Sequence, residues 1–425
     1  MRINKLAIGC WVALWLCVPL ADAALTIQIV GGGAKQTPIA ISTFPGETAL
    51  QQQITPVVIA DLTRTGLFRM VDAGGINPVP TDPSQVQYPV WAARGAEALA
   101  IGSVTPLPDG HYNVQFRLLD VLQQGQLAGF QYNIAPSQAR LTAHKIADAI
   151  YKAITGDVGV FSTRIAYVLR QSGRYELQVA DSDGYNPQTV LATRQPIISP
   201  AWSPDGTRLA YVSFEKGHAA VYVQSLLTGN RHVVINSKGT TSAPAWAPNG
   251  KQLVVAIPQD GGTNLYRVND DGSGLTQLTH GSSINTEPSF SPDGKSLLFT
   301  SDRGGSPQIY EMPANGGEAQ RLTFDGSYNV TPDYSPTGKD FAFVQRNNGH
   351  LNIAVEDFTS HQAQVLTNGD LDQSPSFAPN GKMILYAAEG GILAAVSSDG
   401  RVKQRLRADT GQVSEPAWGP LPKTQ

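Results

Sequence analysis

Beyond its first 23 residues the chain contains no cysteine, since Cys10 and Cys17 are its only two. A disulfide framework is thereby excluded for the rest of the chain, whose stability has to come from packing. Charge is also scarce: charged residues make up 15% of the sequence and the formal net charge is −3. That balance gives a nucleic acid nothing to bind. After residue 20 there is no apolar run long enough for a spanning helix. The one long run, residues 6–20, follows Arg2 and Lys5 and ends at Ala21-Asp22-Ala23, the small residues a signal peptidase reads. Cleavage of residues 1–23 and export to the periplasm are expected. Neither cysteine is placed for lipidation, because Cys17 follows bulky Leu16 and Cys10 falls in the first half of the apolar run.

Catalytic signatures are missing too. Gly304-Gly305-Ser306-Pro307-Gln308 approaches a nucleophile elbow but lacks its final glycine and falls in a turn. Gly31, Gly32 and Gly33, followed by Ala34-Lys35, lack the Walker spacing and read as a flexible joint or hinge. The seven histidines are scattered singly, with no pair at zinc-ligand spacing. Asp181-Ser182-Asp183-Gly184 opens like a calcium loop but has no later glutamate, so it reads as a turn between strands.

What the chain does have is a repeat. Pro200-Ala201-Trp202-Ser203-Pro204-Asp205-Gly206 recurs at Pro244, Pro288, Pro332 and Pro375, and begins again at Pro416-Ala417-Trp418. The anchors are 44, 44, 44, 43 and 41 residues apart, the period of a four-stranded propeller blade. In each repeat Pro presets φ, Asp or Asn bonds its own backbone, and Gly accepts φ > 0, so a tight turn must join two strands. Apolar strands follow at 209–212, 253–256, 297–300, 341–344 and 384–387. Third strands follow at 220–223, 265–268, 308–312, 351–355 and 392–396, and fourth strands around 233–234, 277–279, 321–323 and 365–367. Residues 165–168, 177–179 and 189–191 match strands two to four of a blade without a first strand. The orphan first strand is Pro416-Ala417-Trp418. A six-bladed ring closed by the C-terminal strand is therefore expected over 163–425, in preference to a sandwich or an open solenoid.

Residues 24–155 read as a separate α/β domain. Strands are expected at 26–30, 38–44, 68–71, 98–104, 112–119 and 126–132. Helices are expected at 49–65, with Ile54, Val57, Val58, Asp61 and Leu62 on one face, and from a Ser137 cap to about residue 154, with Leu141, Ile146, Ala149 and Ile150 inward. Residues 78–89 read as a loop and 156–162 as the linker.

Residues just before each anchor proline enter the innermost strand and ring one mouth of the tunnel. Ser199, Ser242, Thr286, Glu287, Thr331, Gln373 and Glu415 make that rim polar, which suits a protein partner or an inserted peptide. Glu287, Asp333, Asp372 and Glu415 could reach the axis. No cofactor is required, and an axial cation such as calcium is the candidate ligand. The rival reading is a periplasmic hydrolase or lyase acting on a sugar or peptide in the tunnel, which requires clustered, perturbed carboxylates there.

With this architecture, several segments carry a resemblance: Ala60-Asp61-Leu62, Gly102-Ser103-Val104-Thr105-Pro106, Asp109-Gly110-His111-Tyr112, Asp183-Gly184-Tyr185-Asn186 and Asn285-Thr286-Glu287-Pro288. The chain resembles the TolB family, periplasmic components of the Tol-Pal envelope system. The resemblance implies a non-catalytic adaptor that binds the lipoprotein Pal at the propeller mouth and TolA through the start of the mature chain, supporting outer-membrane constriction during cell division. It places Thr286 and Glu287 in the Pal-facing set, which the mouth extends to Asn285, Thr240 and Thr241; this chain departs from its relatives here, having Lys238-Gly239-Thr240-Thr241 in the loop where they place a histidine. It assigns the TolA-facing strand to Ala24, Leu25, Thr26, Ile27, Gln28, Ile29 and Val30.

Overall fold

A computed structural model of the chain describes residues 26–29, 36–236, 242–259 and 261–422. The leader, Ala24, Leu25, Val30, Gly31, Gly32, Gly33, Thr240 and Thr241 lie outside the described residues.

The N-terminal domain is built on a mixed five-stranded sheet. Its order is Phe68–Val71, Thr37–Ile41, Ala98–Pro106, Tyr112–Asp120, Gln126–Ile134, with the first two pairings parallel and the rest antiparallel. Helices α1 (Ile54–Arg64) and α3 (Ala139–Thr155) bury Val58, Leu62, Ile146 and Ile150 against one face. The other face is covered by Trp91 of α2 (Tyr88–Ala93). Helix α1 starts five residues later than the apolar spacing suggests. The reason is Glu47, a buried acid whose Oε2 accepts the N–H groups of Ile54 and Thr55 at 2.8 Å each, capping the first turn from outside the helix. Ser137 does not cap α3; it lies in a short 3-10 turn, Pro136–Gln138, and Leu141 is exposed. The stretch 78–89 is not all loop, because Pro89 sits in the first turn of α2, where its missing N–H costs nothing.

The second domain is a ring of six sheets. Blade one combines Gln412–Trp418 with Arg164–Gln171, Arg174–Asp181 and Gln188–Thr193, and Trp418 lies opposite Ile165. Blades two to five take four consecutive strands each. Blade six adds a fifth: Thr26–Ile29 runs antiparallel to Val402–Arg405, with Thr26 opposite Arg405 and Ile29 opposite Val402. The fourth strands of blades three to five end earlier than their apolar pattern. In each, a threonine hydroxyl takes over as acceptor for the neighbouring strand: Thr279 for the Leu265 N–H, Thr323 for Ile309 and Thr367 for Ile353, at 2.9, 3.0 and 2.9 Å. A side-chain acceptor in place of a carbonyl ends the ladder without leaving a buried donor unpaired.

The domains meet on the face of the ring that carries the Asp/Asn-Gly turns. Gln404 of blade six donates to the Arg64 carbonyl at 2.7 Å, and Asn380 donates to the Val158 carbonyl at 2.8 Å. Asp148 of α3 accepts the Phe161 and Ser162 N–H groups at 2.7 and 3.1 Å, fixing the segment that joins the domains. The inner strands run from the opposite face toward this one, so the tunnel mouth at their starts is turned away from the N-terminal domain.

Candidate protein-binding site

The inner strands enclose a cavity of about 830 Å³, and the same distortion recurs in all six. Pairing with the second strand slips between Ile198 and Ala201, Ser242 and Ala245, Thr286 and Ser289, Val330 and Asp333, Gln373 and Ser376, and Ser414 and Ala417. Each slip is a bulge whose residue before proline is left-handed. Ser199, Ala243, Glu287, Thr331, Ser374 and Glu415 have φ of 53°, 50°, 54°, 55°, 55° and 48°. None is glycine, so each bears a backbone cost of about 1–2 kcal/mol. Strain repeated six times around one opening makes this rim the candidate site.

The rim acids are committed to the ring itself. Glu287 Oε2 accepts the Thr331 N–H at 2.8 Å and the Thr300 hydroxyl at 2.7 Å. Glu415 Oε2 accepts the Ser199 N–H. Each carboxylate therefore ties its own blade to the equivalent position of the next. Burial raises the Glu415 carboxyl above its usual range, and the neighbouring Glu287 charge adds to this, against the opposing Ser199 bonds. One layer deeper the pattern repeats at the residue after the anchor proline. Ser289 Oγ accepts the Tyr334 N–H at 3.0 Å, Asp333 Oδ2 the Phe377 N–H at 2.7 Å, and Ser376 Oγ the Trp418 N–H at 3.0 Å. Asp333 lies deep in the tunnel, partly accessible along the axis yet enclosed by the inner strands. Burial pushes its carboxyl up to about 7 against the two bonds it accepts. Of this second ring the sequence marks only Asp333, as an acid able to reach the axis; Ser289 and Ser376 emerge from the structure alone.

Of that set, Ser199, Ser242, Thr286, Glu287, Thr331, Gln373 and Glu415 line the cavity together. Asn285 does not. It is fully buried, donating to the Thr263 carbonyl at 3.0 Å and accepting from Ser301 and Arg303 at 2.9 and 2.7 Å; its amide holds the loop that presents Thr286. Asp372 also stays off the axis, accepting the Gly369 N–H at 3.2 Å. Tyr328 and Leu351 line the cavity although no repeat signature marks them. Arg346 stacks over the Tyr328 ring at 4.3 Å, stiffening that side. Pal-facing roles of Thr240 and Thr241 fall outside the described residues.

The same ordering of an α/β domain before such a ring is found in known proteins. The TolB amino-terminal domain family matches residues 25–127 and the TolB beta propeller domain family matches residues 151–422. The chain belongs to the TolB family. The Tol-Pal system protein TolB of Nitrosospira multiformis is 62% identical over 97% of this chain and 95% of its own. That of Nitrosomonas europaea is 56% identical over the full length of both. The crystal structure of TolB from Acinetobacter baumannii is 39% identical, covers 93% of this chain and 99% of its own, and superposes with a TM-score of 0.85. TolB membership fits the six blades, the preceding α/β domain and the closing strand alike.

Proposed function

We propose that this protein is a non-catalytic periplasmic adaptor of the Tol-Pal system, holding Pal at the left-handed rim of the tunnel and TolA through residues 24–30. Its role would be to support outer-membrane invagination and integrity during division. The observation that carries this reading is the rim: six strained, mostly polar positions on the face turned away from the N-terminal domain, surrounding a preformed cavity of about 830 Å³. The second interface is supported by the pairing of Thr26–Ile29 with the outer edge of blade six. A strand held by four residues of one ladder can exchange that edge for a partner's. Asp333 and Glu415 are raised carboxylates of the kind a hydrolase or lyase needs, but each is bonded to an N–H of the next blade, which suits a scaffold better than acid-base chemistry. An accessory calcium ion on the axis remains part of the proposal, with Glu287, Asp333 and Glu415 as oxygen donors; it requires calcium to raise the melting temperature of chelator-treated protein.

Among the described residues Thr286 and Gln373 have no side-chain bond within the ring and are the positions to test. Thr286→Arg and Gln373→Arg should each weaken Pal capture about tenfold or more with unchanged melting temperature. Deletion of residues 24–33 should abolish TolA capture while leaving Pal capture intact. Full Pal capture by both rim variants would remove the mouth from the interface.

A further inference from the structure

At the domain junction, a histidine of one domain faces two aspartates of the other. His144 on α3 is 1% exposed, and its Nδ1 lies 2.6 Å from Asp61 Oδ2 of α1. A carboxylate there accepts from Nδ1–H, so that the neutral ring presents the lone pair of Nε2 to a ligand. That Nε2 is buried and has no hydrogen-bond partner. It points at the turn after Arg174–Asp181, where Asp181 Oδ2 is 4.0 Å away. The separation is too long for a hydrogen bond and about half an ångström wider than two donors on one tetrahedral ion, so Asp181 has to close on the imidazole for the two to share it. Ligand atoms of His144, Asp181 and Asp183 all lie within 4.8 Å of one another, and among the described residues this is the one such group of three.

Asp61, Asp181 and Asp183 face Arg64 and Arg140, and Arg407 stands beside them with its guanidinium 4.8 Å from the Tyr185 ring, so an ion here displaces guanidinium from carboxylate rather than filling a charge deficit. Arg140 binds Asp183 through Nη2. Its Nε lies 3.3 Å from Asp181 but makes no hydrogen bond there. Asp181 is therefore held chiefly by Asn186, at 3.1 Å, and its partly exposed side chain gives an ion a route in from solvent.

We propose that the junction is a transition-metal site, taking a zinc-class divalent ion on His144 Nε2 with the Asp181 and Asp183 carboxylates, while Arg140 withdraws its Nε from Asp181. Imidazole with two carboxylates favours zinc or cobalt over calcium. Asp61 orients the histidine from behind, as outer partners of metal-bound histidines do. The ion would join the domains beside Arg64, whose carbonyl is bonded to Gln404 on the strand that carries Thr26–Ile29.

The test uses the full mature chain after chelation. Titration with zinc chloride should give one binding event per chain and a rise in melting temperature that added chelator reverses. Cobalt should give a visible absorption band. Asp181→Asn, on a partly exposed side chain, should weaken zinc binding about tenfold or more and His144→Gln should abolish the cobalt band. If His144→Gln is poorly folded, Asp181→Asn alone decides. Absence of a one-to-one event, or equal binding by Asp181→Asn, overturns the proposal.

Discussion

Asp333 Oδ2 accepts the Phe377 N–H at 2.7 Å, so an acid in the inner strand of blade five holds the aromatic anchor of blade six. The bond is made at the same layer as those of Ser289 and Ser376. The difference is that this staple can ionise.

Its consequence is a pH dependence of stability. Burial raises the Asp333 carboxyl to about 7 from an ordinary 3.8. Between those values the folded chain binds more protons than the unfolded one, so stability falls as pH rises from about 4 to about 7 and is level above that. The loss should be about 1–3 kcal/mol, less than a full conversion because water reaches the tunnel. Asp333→Asn keeps an acceptor for Phe377 and removes the charge. The difference between thermal melts at pH 5 and pH 8 should shrink in the variant, with a remainder from Glu356, which burial also raises to about 7; an unchanged difference would discard Asp333 as a source.

Relief of rim strain is measurable at Ala243, which holds φ at 50° with only a methyl side chain. Ala243→Gly should stabilise the protein by about 0.5–1 kcal/mol, the left-handed cost exceeding the entropy of glycine. Urea unfolding gives the sign directly, and a loss of stability would show that the bulge carries no strain.

Circular closure predicts an all-or-none effect of truncation. A chain ending at Gly411 would leave Ile165, Tyr167 and Leu169, all buried against the closing strand's blade, facing solvent at an open edge. Such a protein should lose its cooperative thermal transition and bind a hydrophobic dye. A sharp transition near the full-length value would contradict the closure.

Gln404→Leu tests the domain junction. It removes the donor from the Arg64 carbonyl in a buried contact and should cost about 1–3 kcal/mol. Limited proteolysis should then cut faster between residues 156 and 162, and unchanged cleavage would mean that other contacts hold the domains.

The ring was legible because its turns are written in residues with one backbone use. Pro, Asp or Asn, and Gly at fixed offsets announce a hairpin wherever they occur, and Pro416-Ala417-Trp418 without a turn glycine could only be a last strand. The rim was legible only as positions. Its left-handed backbone has no glycine to announce it, and the following proline by itself favours an extended residue, so the bulge imposes the positive φ against both signals. Asn285 looked like a surface contact because a polar residue beside an anchor gives no sign of burial. The His144 cluster was hidden for another reason: Asp61, His144 and Asp183 come from two helices and a turn in different domains, and spacing along the chain cannot report a meeting made by docking. The Glu47 cap on α1 and the threonine acceptors that shorten the fourth strands are likewise side-chain solutions to backbone needs, outside any periodicity.

Trp418 lies opposite Ile165, so a chain that folds from its N-terminal side can complete five blades but cannot finish the first until its last residues are available. Bringing those ends together costs about 3 kcal/mol more than closing a ten-residue hairpin. That cost falls last, when the other blades have already supplied the walls. Whatever restrains the tail therefore keeps the entire ring unlocked, and liberation of the carboxyl end and completion of the fold become one event.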